Sequence, residues 1–279
     1  MTDTAVLITG TSSGIGRATV ELLSRRAGLT VYATARNPGA IADLAAAGAH
    51  TLALDVTDED SMSAAVKSVE ERHGHIGILI NNAGYGEYGT IEETQLDDVR
   101  RQFETNVFGL ARMTQLALPA MRAAGSGRVI NIGSMGGRLV FPVGGYYHAS
   151  KYAVEAITDA LRYESAPFGI KVSLIEPGLI RTGFEEVAAQ TQATSSTPGG
   201  PYAALTAANA EQMRTSYRST LLSAPPDVVA RAIRHAATAR RPRTRYVVTP
   251  AAKALVHSRR LLGARAFDSY LKLQYRTAG

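Results

Sequence analysis

Seven short apolar runs recur along the chain: AVLIT (5–9), TVYATA (30–35), HTLALDV (50–56), IGILINNAG (76–84), GRVINIGS (127–134), IKVSLIEPG (170–178) and RYVVTP (245–250). Their hydrophobicity is near-continuous rather than alternating, which suits strands covered on both faces. Helical stretches lie between them. In 14–28, Ile15, Ala18, Leu22 and Leu23 fall near one face. The stretch 57–74 opens on cap-forming residues and acids and closes on Gly74, the pattern of a complete helix. Strand–helix repetition predicts an α/β fold, a doubly wound parallel sheet of about seven strands with helices on both faces. Ligands on such sheets collect at the carboxyl ends of the strands. Residues 183–224 break the rhythm with a run rich in Thr, Ser, Ala, Gly and Pro. They read as a mobile flap over that crevice, or as a plain surface insertion.

Composition adds bounds. With 279 residues and 45% hydrophobic positions, the chain can bury the core of one domain, 1–279. The absence of cysteine excludes disulfides and thiolate metal sites, and no metal site is expected. No stretch approaches 18 apolar residues, and MTDTAVLITG lacks the basic region of a signal peptide. A cytoplasmic location is therefore expected. The net charge of +6 is uneven, with twelve Lys and Arg from Arg231 onward against one acid, Asp268. The basic C-terminal segment 250–279 reads as a solvated helix. Its alternative is peripheral contact with an anionic membrane, carried by the partly amphipathic 253–276. No nucleic-acid partner is expected.

The first strand runs into TGTSSGIG, with Gly10, Ser12, Ser13, Gly14, Ile15 and Gly16. Glycines let the backbone turn tightly against a pyrophosphate, and the helix that follows offers unpaired N–H groups and a positive dipole end. After the second strand, a protein gripping the ribose of NAD usually places a carboxylate. This chain offers Arg36 instead, whose guanidinium suits a 2′-phosphate. The expected cofactor is NADP(H) rather than NAD(H); the plainer reading of Arg36 is a solvent-loop side chain. Asp55 and Val56 end the third apolar run and Asn82, Ala83 and Gly84 the fourth, where an adenine acceptor and close backbone approach fit the same crevice.

GGYYHASK (144–151) sets two tyrosines before a lysine. On a helix, residues four apart share a face. Tyr147 has Lys151 at that offset, whereas Tyr146 has Ser150. Tyr147 is thus the candidate general acid/base, with a nearby ammonium to pull its pKa down from about 10. Ser134 ends the fifth run, where its hydroxyl meets a substrate carbonyl or merely caps a turn. Tyr146 is expected to shape the pocket.

Together TGTSSGIG, NNAG (81–84), Asn106 in ETNVFG, Ser134, YHASK (147–151), and Pro177-Gly178 with Thr182 resemble the short-chain dehydrogenase/reductase family. The resemblance covers most of residues 4–182. It implies a Rossmann-type fold and hydride transfer between a nicotinamide and a ketone/aldehyde–alcohol pair. It makes Tyr147 the proton carrier and Lys151 the ribose ligand that lowers its pKa. Ser134 becomes the carbonyl-orienting group and Asn106 part of a water-linked proton path. Pro177, Gly178, Ile180 and Thr182 become cofactor contacts. Two departures stand out. Ser13 occupies a place that is basic in some NADP-preferring members, and Gly77 replaces a frequent acid, a change expected to affect packing.

EPGLIRTGF (176–184) is similar to the branch containing 17β-hydroxysteroid dehydrogenases, which implies a hydrophobic ketone or alcohol substrate. Val140, Phe141, Pro142 and Val143 form an apolar wall for it, or plain packing. Ala149, Ala153, Ala156 and Ala160 make a small-residue stripe for a helix of a second copy in a homodimer or homotetramer, or for this chain's own sheet. The alternative function is an NADP(H) sensor acting through the basic tail.

Overall fold

The computed structural model describes residues 3–275. The chain opens with strand β1 (Thr4–Ile8), helix α1 (Gly14–Leu23), β2 (Leu29–Ala35), β3 (His50–Ala53), α2 (Glu59–His73) and β4 (Ile78–Asn81). It continues through α3 (Leu96–Phe103), α4 (Leu110–Ala123), β5 (Gly127–Ile132), α5 (Gly145–Ser165) and β6 (Ile170–Glu176). The remainder is β7 (Leu179–Ile180), α6 (Phe184–Ser195), α7 (Ala203–Arg218), β8 (Ser223–Ala224), α8 (Pro226–Thr238), β9 (Arg245–Val247) and α9 (Pro250–Gln274).

All seven runs predicted as strands lie in one parallel sheet, ordered β3-β2-β1-β4-β5-β6-β9. This is a Rossmann-type α/β sheet whose order reverses between β1 and β4, which opens a crevice at their carboxyl ends. Alternate residues of each strand feed two cores. Val6, Ile8, Val31 and Ile78 pack with Val20, Leu23, Val229 and Ile233 on one face. Ala5, Leu7, Leu79 and Val129 pack with Met62, Val66, Met113 and Met121 on the other. Two filled faces explain why the strands read as continuous apolar runs.

Several boundaries differ from the pattern. β3 stops at Ala53 and β4 at Asn81. Asp55, Val56, Asn82, Ala83 and Gly84 therefore stand in the loops beyond the strands. There the backbone leaves the ladder and faces the crevice. α1 ends at Leu23; of the predicted set Leu23 is buried and Ile15, Ala18 and Leu22 are half-buried, while Gly16, Thr19 and Val20 complete the buried face. The glycines and Thr19 let the helix lie close to the sheet, which turns its buried face. Asp58 caps α2 by accepting from the Ser61 N–H, and Gly74 closes it, as the pattern predicts.

Residues 183–224 contain α6 and α7, and β8 pairs with β7. The segment of turn-rich composition is thus mostly helical, because tertiary packing outweighs weak local preference. The basic segment forms α9, interrupted by Gly263 at φ 78° and ψ −176°. Phe267 and Val256 pack on Leu139, with Phe141 beside them. A few apolar side chains anchor the tail to the body while most of the helix is exposed, as a solvated helix is expected to be; residues 276–279 lie outside the described residues.

Candidate active site

A cleft of about 1170 Å³ opens at the carboxyl edge of the sheet. Every residue predicted for the site lines it except Gly16 and Asn106. One end is built by the glycine loop. Ser13 precedes α1 in extended conformation and makes no side-chain cap bond, so the first N–H groups of the helix are left for a ligand. A Cβ on Gly16 would collide with the Gly10 carbonyl and stand 2.6 Å from Asn82 Nδ2. Asn82 Nδ2 donates to the carbonyls of Thr9 (2.9 Å) and Gly10 (2.8 Å). The loop after β4 thereby fixes the loop after β1. This cradle and its open helix end fit a dinucleotide pyrophosphate. Arg36 is exposed at the rim, and Asp55 accepts from the Thr57 N–H at 2.9 Å.

The other end is built on α5. Tyr147 and Lys151 are both buried and both face the cleft, as their spacing requires. Lys151 Nζ donates to the Ile132 carbonyl at 3.0 Å. Ser134 Oγ accepts from the Gly136 N–H at 2.9 Å, and Ser134 lines the same cleft as Tyr147. Ser134 caps its turn, as the plainer reading has it, and stands in the cleft where the other reading needs it. Burial pushes the Tyr147 phenol up to about 12, opposed by the Ser134 hydroxyl. Burial pushes the Lys151 ammonium down to about 8. The expected fall in the phenol's pKa is not seen, because desolvation of the ring dominates the charge. His148 is buried too, and burial lowers its pKa to about 4. The neutral imidazole bonds the Gly136 carbonyl through Nδ1 at 3.0 Å, which ties the Ser134 turn to α5.

Asn106 sits behind the cleft wall, in a turn of π geometry, Glu104–Gly109, between α3 and α4. Its Nδ2 donates to the Tyr85 carbonyl (2.8 Å) and to Ser150 Oγ (3.1 Å), and its Oδ1 accepts from the Tyr85 N–H (3.0 Å). A Cβ on Gly84 would stand 2.9 Å from Asn106 Oδ1 and 3.7 Å from Lys151 Nζ. Asn106 thus holds the chain after β4 against the lysine. Such widened turns recur at functional sites.

Two expectations about the pocket wall are corrected. Tyr146 turns away and donates to the Ile91 carbonyl at 3.2 Å, because the helical turn that aims Tyr147 inward aims its neighbour elsewhere. Of residues 140–143, only Phe141 lines the cleft; Val140 is exposed and Val143 is held at φ 66°. The apolar wall comes from residues the pattern did not single out. Tyr88 stacks on Tyr147 with centroids 5.6 Å apart, and Phe184 stands 5.3 Å from the same ring. Met213 and Tyr217 of α7, and Tyr270 and Tyr275 at the end of α9, complete it. Gly77 approaches Thr4 so closely that a Cβ would collide with the Thr4 methyl, which accounts for the missing acid as packing.

A family model described as short chain dehydrogenase matches residues 4–193. A crystallised short-chain dehydrogenase from Streptomyces avermitilis superposes with a TM-score of 0.81 at 34% identity, covering 99% of this chain and 98% of its own. The protein belongs to the short-chain dehydrogenase/reductase family of oxidoreductases. The oxidoreductase YbbO of Escherichia coli (strain K12) is 37% identical over 270 residues, 96% of this chain and 94% of that one. A 3-ketodihydrosphingosine reductase of Bacteroides thetaiotaomicron is 42% identical over 181 residues; the match spans 65% of each chain.

Proposed function

We propose that the protein is an NADP(H)-dependent oxidoreductase, built as one catalytic domain, that interconverts an apolar ketone and its secondary alcohol. The observation that carries this reading is the meeting of Tyr147, Lys151 and Ser134 beside an uncapped helix end in one cleft. When bound, the nicotinamide supplies or takes the hydride. Gly10, Gly14 and the α1 N-terminus hold the pyrophosphate. Arg36, with no carboxylate beside it at the end of β2, pairs with the 2′-phosphate. Lys151, fixed by the Ile132 carbonyl, holds the nicotinamide ribose. Ser134 orients the substrate oxygen, and Tyr147 gives it a proton as negative charge develops there. A phenol near 12 is protonated at neutral pH, so the apoprotein stands ready for reduction. Asn106, through Tyr85 and Ser150, holds this arrangement in register.

The substrate side is aromatic and apolar, with Tyr88, Phe184 and Met213 packed with Tyr147 and Tyr217, Phe141 and Leu255 lining the same cleft. That lining supports a hydrophobic ketone, as does the relative named for a 3-keto substrate. Substrate-dependent oxidation of NADPH across apolar and charged ketones tests the reading. Apolar ketones are expected to react and charged ones to fail. Arg36→Ala is expected to weaken NADPH binding by about 10–100-fold while leaving NADH binding unchanged. Tighter binding of NADH by the unaltered protein would refute the cofactor assignment. Turnover of any ketone also speaks against the sensor alternative, which no feature of the site favours.

A second reading concerns the tail. Leu261 and Leu262 are exposed beside Arg259 and Arg260 where α9 breaks at Gly263. This apolar tip with flanking charge suits the interface of an anionic bilayer. No helix among the described residues is long and apolar enough to cross a membrane. Cosedimentation with phosphatidylserine vesicles is expected at low salt and lost in the Leu261→Asp variant. Failure to bind at low salt would end this reading.

A further inference from the structure

Beneath the Ser134 turn lies a buried acid–base cluster that the reaction does not use. Glu176, the last residue of β6, is fully buried and directly precedes Pro177 and Gly178 of the cleft. Glu155 lies on α5, one turn beyond Lys151. Arg245, the first residue of β9, bridges the two. Its Nη1 donates to Glu176 Oε1 at 2.7 Å and to Glu155 Oε2, and its Nη2 donates to Asp159 Oδ2 at 2.5 Å. Arg138, from the turn after Ser134, stands 3.6 Å from Glu176 Oε2. Arg162 pairs with the far oxygen of Asp159 at 2.5 Å. Tyr152 and, beyond it, Arg259 complete the charged or titratable groups facing Glu155.

Two oxygens in this cluster are left over. Glu155 Oε1 and Glu176 Oε2 are both buried and have no hydrogen-bond partner among the described residues. The two carboxyl groups nevertheless accept from the same Arg245 Nη1, which holds them side by side. If both were ionised, two desolvated acceptors would face one another with nothing to accept. A single proton resolves this, because it turns one orphan acceptor into a donor for the other.

We propose that Glu155 is held as the neutral acid and donates from Oε1 to Oε2 of Glu176, closing a ring with Arg245 that positions Ser134, Lys151 and Tyr147. The ring joins the three backbone pieces that carry the site. Glu155 packs under the Ser134 turn, since a Cβ on Gly137 would stand 2.9 Å from both Glu155 Cγ and the Lys151 carbonyl. Glu176 fixes the chain entering Pro177. Arg245 draws α5 and β6 against the edge strand β9. Glu155 and Glu176 are positioning residues, because neither lines the cleft. Burial first, then the charge of Glu176, raises the Glu155 carboxyl to about 8 against the pull of Arg245, in accord with a retained proton.

Because the folded state holds this proton more tightly than the unfolded chain, its stabilisation is complete below about 4.5 and is lost as pH rises towards about 8. Lys151 runs the other way and in another window. Its lowered pKa makes the folded state gain stability as pH rises from about 8 to 10.5. Glu155→Gln separates the two, since its amide keeps a donor that never titrates. Thermal melts of the protein alone, from pH 5 to pH 8, are the first readout. The melting temperature of Glu155→Gln is expected to rise relative to wild type across that range by about 2–4 °C. Parallel curves would overturn the proposal.

The positioning role rests on the proposed reductase reading and has its own readout. Glu155→Ala is expected to lower kcat by at least about tenfold with NADPH affinity held within about threefold. Glu155→Gln is expected to restore kcat at pH 7. A Gln variant as impaired as the Ala variant would show that the neutral acid is not what positions the site. Absence of ketone turnover in the wild type would count against the reductase reading alone, because the melts report on the proton independently.

Discussion

A phenol sealed among aromatic rings is a weak acid and an idle base, and this sets what Tyr147 can do. Tyr88 and Phe184 flank its ring and burial holds its pKa near 12, so proton donation is favoured over removal at pH 7. Replacing the hydroxyl by hydrogen removes the donor but keeps the stack. Tyr147→Phe is expected to bind NADPH within about twofold of wild type and to lose about 10²–10⁴ of kcat. Tyr146→Phe should cost less than about twofold, since its hydroxyl only reaches the Ile91 carbonyl outside the cleft. Stopped-flow reduction of an accepted ketone compares them; equal losses would mean the wrong tyrosine has been chosen. The pair Tyr147–Lys151 was legible in sequence because four residues of helix fix their relation. Tyr88 and Phe184 were not. They reach the same ring from 59 positions before it and 37 after it, and only the folded chain relates such distances. The phenol's raised pKa was hidden for the same reason, because burial is a tertiary quantity.

The elements were legible where one signal governed them and misread where two competed. Continuous apolar runs gave all seven strands of the sheet, because both its faces are covered. Strand ends were overextended at β3 and β4, since Leu54 and Val56 stay buried, and Asn82 and Ala83 half-buried, beyond the ladder. Composition suggested a flap for 183–224 but not its helices, and Gln192 and Asn209 hold α6 to α7 through a buried 2.7 Å bond that no local pattern announces. The glycine loop lies between β1 and α1 as the pattern predicts, and the structure makes the need for one of its glycines specific. Gly16 is required by approach rather than by dihedral angle, as it lies against the Gly10 carbonyl and Asn82. Gly16→Ala should force α1 away from the loop, with a cost of about 1–3 kcal/mol. The expected outcome is a lowered melting temperature together with at least tenfold weaker NADPH binding, read by fluorescence titration. An alanine variant with unchanged affinity would mean that the α1 terminus does not hold the cofactor.

At the scale of the molecule, α5 is a helix with two uses. One side buries Tyr147, Lys151, Val154 and Thr158 against the sheet and the cleft. On the other, Ala149, Ala156 and Ala160 are exposed and Ala153 is half-buried. The stripe does not serve this chain's own sheet, which leaves a second copy as the partner we propose. Tyr152 and Tyr163 are also exposed on α5, and aromatic side chains beside small ones suit the centre of a symmetric interface. Two such helices approach closely only while the stripe stays small. Ala156→Arg puts a guanidinium at that approach, where two copies would face each other across a two-fold axis. Because Ala156 is solvent-exposed within one chain, the substitution leaves the monomer's own packing intact. The wild type is expected to scatter light as a dimer or tetramer at micromolar concentration, and the variant as a smaller species with near-normal monomer fold by circular dichroism. A wild type that is monomeric there, or a variant whose mass is unchanged, would remove α5 from the interface. If the variant dissociates and kcat falls while NADPH affinity holds, the partner's α5 is what stiffens the helix that aims Tyr147 at its substrate.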